Sequence, residues 1–141
     1  MLPKAFIDSS VFILGKEWPN SNSAKILELL SQGKVEAVVS SKVVHEVFYY
    51  FKNHHGKSLA SDYRFFLVQF CTVIDEDRIR GEINQWKDKI KKKDVLHLAT
   101  VKAFHLPHLV AFDRDFKPFP EYVTPKAFLK LLGRKTAATE Y

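Results

Sequence analysis

The chain has 141 residues, 46% of them hydrophobic, enough for one real core and too few for two; it reads as a single domain over 1–132 with a flexible tail over 133–141. One cysteine, Cys71, excludes an internal disulfide and agrees with a reducing compartment, and no apolar run approaches the roughly 20 residues that cross a bilayer. Twenty-two Lys+Arg against 16 Asp+Glu give a net charge of +6 and a pI near 9.4, which favours a polyanionic partner such as nucleic acid.

The amino terminus carries no signal-peptide pattern, so a soluble, cytoplasmic protein is expected. Lys4-Ala-Phe-Ile predicts a strand that ends at Asp8. Ser9 and Ser10 can cap the next segment, with Val11 to Leu14 packing back and Gly15 breaking the turn before a polar loop from Glu17 to Ser23. Ala24, Ile26, Leu27, Leu29 and Leu30 predict a helix that stops at Gly33, and Val35 to Val39 predict a second strand. Ser40 or Ser41 caps the next helix, which carries Glu46 among Val44, Val47 and Phe48 and ends at Asn53-His-His-Gly.

Ser58 is the expected cap of a helix running through Tyr63, Phe66, Leu67 and Phe70, and Thr72-Val-Ile predicts a third strand. Cys71, in that apolar run, reads as a buried structural thiol rather than a nucleophile. Asp75 should cap a long charged helix from Glu76 to Lys92, because Ile79, Ile83, Trp86 and Ile90 repeat at three or four residues. Asp94 opens a further amphipathic helix over Val95, Leu98, Ala99 and Phe104, which the His-Leu-Pro break at 105–107 ends. His108 to Phe112 suits a strand buried on both faces, with Asp113 at its carboxyl end, and Tyr122-Val with a helix from Pro125 to Leu132 completes the chain.

The layout is α/β, a central parallel sheet flanked by helices. In such sheets ligands bind outside the carboxyl ends of the strands, where Asp8, Asp94 and Asp113 converge. Glu46 either lies on the solvent face, favouring its helix dipole, or leans over the sheet edge toward Asp8, and the pattern leaves both open. Like charges crowded together need a compensating cation, and an all-oxygen set suits Mg2+ or Mn2+, the ions of metal-assisted phosphodiester hydrolysis. Taken singly, Asp94 is also explained as a helix cap, Asp113 as a turn residue and Asp8 as the start of an Asx turn.

Four stretches carry a resemblance: Phe6-Ile-Asp8-Ser-Ser-Val, Val44-His-Glu46-Val, Asp94-Val-Leu-His-Leu-Ala-Thr and Leu109-Val-Ala-Phe-Asp113-Arg-Asp-Phe116. In this order and spacing the chain resembles a PIN domain, and within that superfamily the small ribonucleases that serve as VapC-type toxins of toxin-antitoxin pairs. The resemblance implies a PIN-like three-layer sandwich and a Mg2+- or Mn2+-dependent endoribonuclease whose catalytic and metal-binding acids are Asp8, Glu46, Asp94 and Asp113. It implies an RNA substrate and a small antitoxin partner. Ser9, Ser10, Asp115, His97, Lys93 and Arg114 are expected around the acids as supporting or phosphate-contacting groups, Asp115 more as a turn residue than a ligand. One departure stands out: the family pattern has Thr or Ser two residues before the fourth acid, and this chain has Ala111.

Other patterns point to less. The spacing of the six histidines, His45 and His97 included, matches no zinc site, and Lys91-Lys92-Lys93 reads as a solvated run placed where it could steer a phosphate backbone. The aromatic helices around Phe48–Phe51 and Phe65–Phe70 suit a core or a homodimer seam. A phosphoryl-aspartate protein fits worse, since a dehalogenase-type phosphatase needs a second acid where Ser10 stands. The alternatives that stay in play are a housekeeping PIN nuclease of ribosomal RNA processing and a catalytically weak RNA-binding PIN scaffold.

Overall fold

A computed structural model describes residues 2–138. Five strands, β1 (Lys4–Ile7), β2 (Glu36–Ser40), β3 (Cys71–Ile74), β4 (His108–Val110) and β5 (Tyr122–Val123), form one parallel sheet in the order β3-β2-β1-β4-β5. In β1 and β2 every residue after the first is buried, on both sides of the pleat, so helices cover both faces of the sheet centre. The registers Phe6↔Val38 and Phe6↔Leu109 place β1 between β2 and β4. The chain leaves β1 toward β2 on one side and reaches β4 on the other, which makes the carboxyl ends of β1 and β4 a topological switch point.

The helices are α1 (Ser9–Glu17), α2 (Asn22–Ser31), α3 (Ser41–His55), α4 (Lys57–Phe70), α5 (Arg80–Trp86), α6 (Val95–Ala103) and α7 (Pro125–Leu131). Local chemistry starts several of them: Ser21 Oγ accepts from Ala24 N, Ser40 Oγ from Val43 N, and Thr124 Oγ1 from Ala127 N ahead of Pro125. Phe6, Ile7, Phe12, Ile26, Phe51, Leu67, Leu98 and Phe128 are fully buried; α1 packs on α2 and α3, α3 on α4, α2 on α7, and α6 crosses β1, β2 and β4. Outside that core Phe65 and Val68 of α4 are 70% and 61% exposed, and Tyr49 of α3 also faces solvent. Among the described residues no helix is long and apolar enough to cross a membrane.

Four local expectations are corrected. Gly15 does not break the chain but lies inside α1, and a Cβ there would stand 2.6 Å from Leu27 Cδ1, so its role is the close approach of α1 to α2. The loop after α1 is shorter than expected, because Ser21 caps α2 already at Asn22. Ser58 is not a cap: Gly56, at φ 97°, occupies the junction between α3 and α4, a conformation that favours glycine. The long helix from Glu76 to Lys92 is a 3-10 turn over Glu76–Ile79, then α5, then turns. Of its apolar residues Ile79 alone is fully buried, so helical period there is not backed by the burial that sustains a long helix.

The tail expected to be flexible falls partly outside the described residues. Within them, Ala137 N donates to Asn22 Oδ1 at 2.6 Å and Asn22 Nδ2 donates to Ala137 O at 3.1 Å. Asn22 is fully buried, so the chain after α7 is tied to the start of α2 at that point.

Candidate active site

Asp8 follows β1 directly, and its backbone N–H donates to Val110 O at 3.0 Å, extending the β1–β4 pairing by one step. It is the N-cap of α1: Oδ2 accepts from Ser10 Oγ at 2.6 Å and from Ser10 N at 3.3 Å. Oδ1 stands 2.8 Å from His97 Nε2. Burial acts to raise the Asp8 pKa, but the hydrogen bond and charge of His97 and the two bonds from Ser10 together outweigh it, and the net shift is downward. His97 is 3% exposed and sits between Phe6 and Phe116, with ring centroids at 4.9 and 6.2 Å. With Nε2 engaged by Asp8 and the ring enclosed, His97 is placed to orient Asp8.

Glu46 lies on the exposed side of α3 and still belongs to this corner, because Ser9 Oγ donates to its Oε1 at 3.4 Å. The two adjacent hydroxyls therefore divide their work, Ser9 reaching Glu46 and Ser10 reaching Asp8. Both readings of Glu46 hold in part: it is solvated and it is tied to the residue after Asp8.

The other wall is built differently. Asp94 ends a 3-10 turn over Lys92–Asp94 and stands before α6, yet its side chain makes no capping hydrogen bond. It is only 5% exposed and its Oδ2 is buried without a partner. Burial and the neighbouring charge of Asp113 push its carboxyl pKa up, against the opposing pull of Lys93 and His97. Ligand-type oxygens of Asp94, Asp113 and Asp115 lie within 4.8 Å of one another. Asp113 caps a 3-10 turn over Arg114–Phe116, its Oδ1 accepting from Asp115 N at 2.9 Å, so the turn that orients Asp113 also brings Asp115 to the cluster.

Two exposed lysines pair with the outer two of these three carboxylates. Lys91 Nζ is 3.0 Å from Asp115 Oδ2 and Lys93 Nζ is 3.4 Å from Asp113 Oδ2, while Lys42 Nζ donates to Lys93 O at 2.5 Å and steadies the segment. The charge of Asp113 and a hydrogen bond to it raise the Lys93 pKa, and the bond from Lys91 lowers that of Asp115. Arg114 is exposed on the same turn. Ala111, where a hydroxyl was expected, is fully buried and donates its N–H to Val123 O at 3.1 Å.

The structure thus brings Asp94 and Asp113 together and adds Asp115, which spacing alone suggests as a turn residue. The donor set fits a hard divalent cation: it is all oxygen, and one buried carboxylate oxygen lacks any other partner. Asp94, Asp113 and Asp115 are the residues that would hold it, with Asp8 on the facing strand end. The bond from His97 to Asp8 was hidden in the sequence; its one signal is that His97 falls nearly a turn after Asp94 on the helix that crosses β1.

Comparison with known proteins fits this geometry. The sequence model described as the PIN domain matches residues 4–115, whereas no curated protein matches the chain. Among solved structures, a toxin-antitoxin complex from Klebsiella pneumoniae is similar with a TM-score of 0.68 at 21% identity, over 86% of this chain and 97% of that one. A sarcin-ricin-loop-cleaving VapC toxin from Mycobacterium tuberculosis aligns with a TM-score of 0.61 at 16% identity, over 81% and 93% of the two chains. A VapBC pair from Rickettsia felis, bound to DNA from its promoter, aligns at 0.57 and 19%, over 86% and 96%.

Proposed function

The chain belongs to the PIN-domain family, and on that premise we propose that it is a divalent-metal-dependent endoribonuclease, a single catalytic domain over 1–132 acting as the toxin of a toxin-antitoxin pair. The observation that carries this reading is the unpartnered, buried Oδ2 of Asp94 beside Asp113 and Asp115 at the switch point of a parallel sheet. Mg2+ or Mn2+ held there offers Lewis-acid stabilisation of the charge that develops on a phosphodiester in hydrolysis. Asp8, aligned by His97 and Ser10, and Glu46, aligned by Ser9, form the facing wall that positions the scissile group. Lys91 and Lys93, at the rim, are placed to give up their carboxylates and receive the RNA backbone.

The solved relatives include a toxin-antitoxin complex and a VapBC pair, which supports a small antitoxin as partner. The exposed face of α3 and α4 around Tyr49, Phe65 and Val68 is the surface assigned to a second copy of the chain. Sedimentation of a monomer at micromolar concentration would remove that assignment. A PIN scaffold that binds RNA without cutting is the second reading, favoured by Ala111 alone.

Cleavage of a panel of RNAs with and without Mn2+, by wild type and by Asp94→Asn at matched purity, tests the proposal. The expected result is metal-dependent cleavage lost in the variant. Equal cleavage by both proteins would assign the activity to a contaminant, and binding without cleavage would leave the scaffold reading.

A further inference from the structure

A second charged region lies between α2, α7 and the chain that follows α7. Lys25, Lys34, Arg134 and Lys135 line a cleft of about 360 Å³ whose other lining residues are Glu28, Leu29, Gln32 and Leu129. None of the four cations forms an ion pair among the described residues, and Glu28 accepts from Gln32 at 3.4 Å. The cleft therefore concentrates four positive charges against one carboxylate.

Its cationic rim is held in place. Arg134 N donates to Leu129 O at 2.9 Å, and three residues on Ala137 exchanges its two bonds with the buried Asn22 at the start of α2. The backbone carrying Arg134 and Lys135 is thus fixed at one end to α7, through Leu129, and at the other to the start of α2, the helix that carries Lys25, which lowers the ordering cost of binding a polyanion. Lys34 precedes β2, and Arg134 follows a helix that starts at the carboxyl end of β5 and runs back along the sheet. The cleft accordingly lies toward the amino ends of the strands, away from Asp8 and Asp113.

We propose that this cleft is a docking site for the phosphate backbone of RNA, separate from the carboxylates, which holds a part of the strand remote from the scissile bond. The identity of the ligand rests on the RNA-cleavage reading. A peptide fits the cleft less well: helices and a tail line it, so it offers no sheet edge for an extended chain to pair with, whereas phosphates need only the charges.

The test is fluorescence anisotropy of a labelled 30-nucleotide oligouridine in EDTA across a KCl series, with wild type and the triple variant Lys34→Gln, Arg134→Gln, Lys135→Gln. All three side chains are exposed, and Lys57→Gln with Lys87→Gln serves as the control pair. The expected result is that the salt slope of the triple variant shrinks by about 2, from three single-strand phosphate contacts at about 0.7 each, with affinity down roughly tenfold at low salt while the control is unchanged. A wild-type slope and affinity in the triple variant would overturn the cleft and leave the nuclease reading intact. RNA held through the cleft but never cut with Mn2+ present would sink the nuclease reading and keep the cleft, and no binding by wild type in EDTA alongside Mn2+-dependent cleavage would sink the cleft and keep the nuclease reading. Polyglutamate of matched charge displacing RNA equally well would assign the cleft to acidic protein segments and overturn the RNA assignment.

Discussion

Asp8 and Asp94 are the same residue type, each stands immediately before a helix at the same end of one sheet, and their surroundings are opposite. Asp8 is saturated: Ser10 and His97 satisfy both of its oxygens, and its pKa falls despite burial. Asp94 is starved: one oxygen has no partner, burial and Asp113 push its pKa up, and exposed Lys93 offers the nearest relief. The contrast separates two jobs that a cluster of acids can do. A saturated carboxylate holds geometry without help, and a starved one marks where a cation lowers the energy of the fold.

The largest effect should come from the starved side. Asp94→Asn and Asp113→Asn are each expected to lower kcat for RNA cleavage by about 10²- to 10³-fold, read in single-turnover assays at saturating Mn2+. Similar kcat in these variants and wild type would erase the distinction between the walls.

Next is His97→Ala. It strips the buried partner from Asp8 and opens a gap between Phe6 and Phe116, so a loss of about 3 kcal/mol is expected in urea unfolding without metal. His97→Gln, which can still donate to Asp8, should recover part of it. Equal losses in the two variants would show that ring packing alone matters.

A smaller effect of opposite sign distinguishes the two acids in the metal-free protein. The raised pKa of Asp94 means that its ionised form opposes folding: its favourable contribution is present below the unfolded value of 3.8 and is lost as pH rises through the folded value. Asp94→Asn should therefore stabilise the metal-free protein at pH 7 by about 1 kcal/mol, a few degrees in Tm, with the gain shrinking toward pH 4. Asp8, with a lowered pKa, contributes above 3.8 and loses that contribution as pH falls further, so Asp8→Asn should destabilise at pH 7. Millimolar Mn2+ should raise the Tm of wild type and leave Asp94→Asn unmoved. Melting curves that shift the same way for both variants would contradict the comparison.

The smallest effect concerns the rim. Lys93→Gln removes the internal counter-ion of Asp113, so Mn2+ affinity by calorimetry should rise about two- to threefold while KM for RNA rises by a similar factor. Affinities for ion and RNA that move in the same direction would show that Lys93 does not alternate between the two.

How much of this was legible in the chain depended on whether the signal was local. The strand ending at Asp8, a serine cap at 40 or 41, the break at 105–107 and an acid past the fourth strand followed from periodicity and capping; the observed elements agree, with Ser40 as the cap and β4 ending at Val110, two residues short of the expected Phe112. Helical period over Glu76–Lys92 misled, because period records which residues could share a face and not whether anything covers that face. Gly15 reads as a breaker until α2 is packed against it.

By itself, then, the sequence determined the α/β alternation, the parallel sheet and the placing of acids at strand and helix ends, since backbone propensity and hydrophobic period are properties of neighbouring residues. Only the tertiary structure decided that Asp115 joins Asp94 and Asp113, that His97 secures Asp8, that Ser9 reaches Glu46 across 37 positions, and that Asn22 ties down Ala137 across 115. The first three are set by how β1, β4, α1, α3 and α6 pack, and the last by α2 and the chain that follows α7. A carboxylate's charge state and role follow from the few ångströms around it, and in a parallel sheet those ångströms are filled by residues far away in the chain.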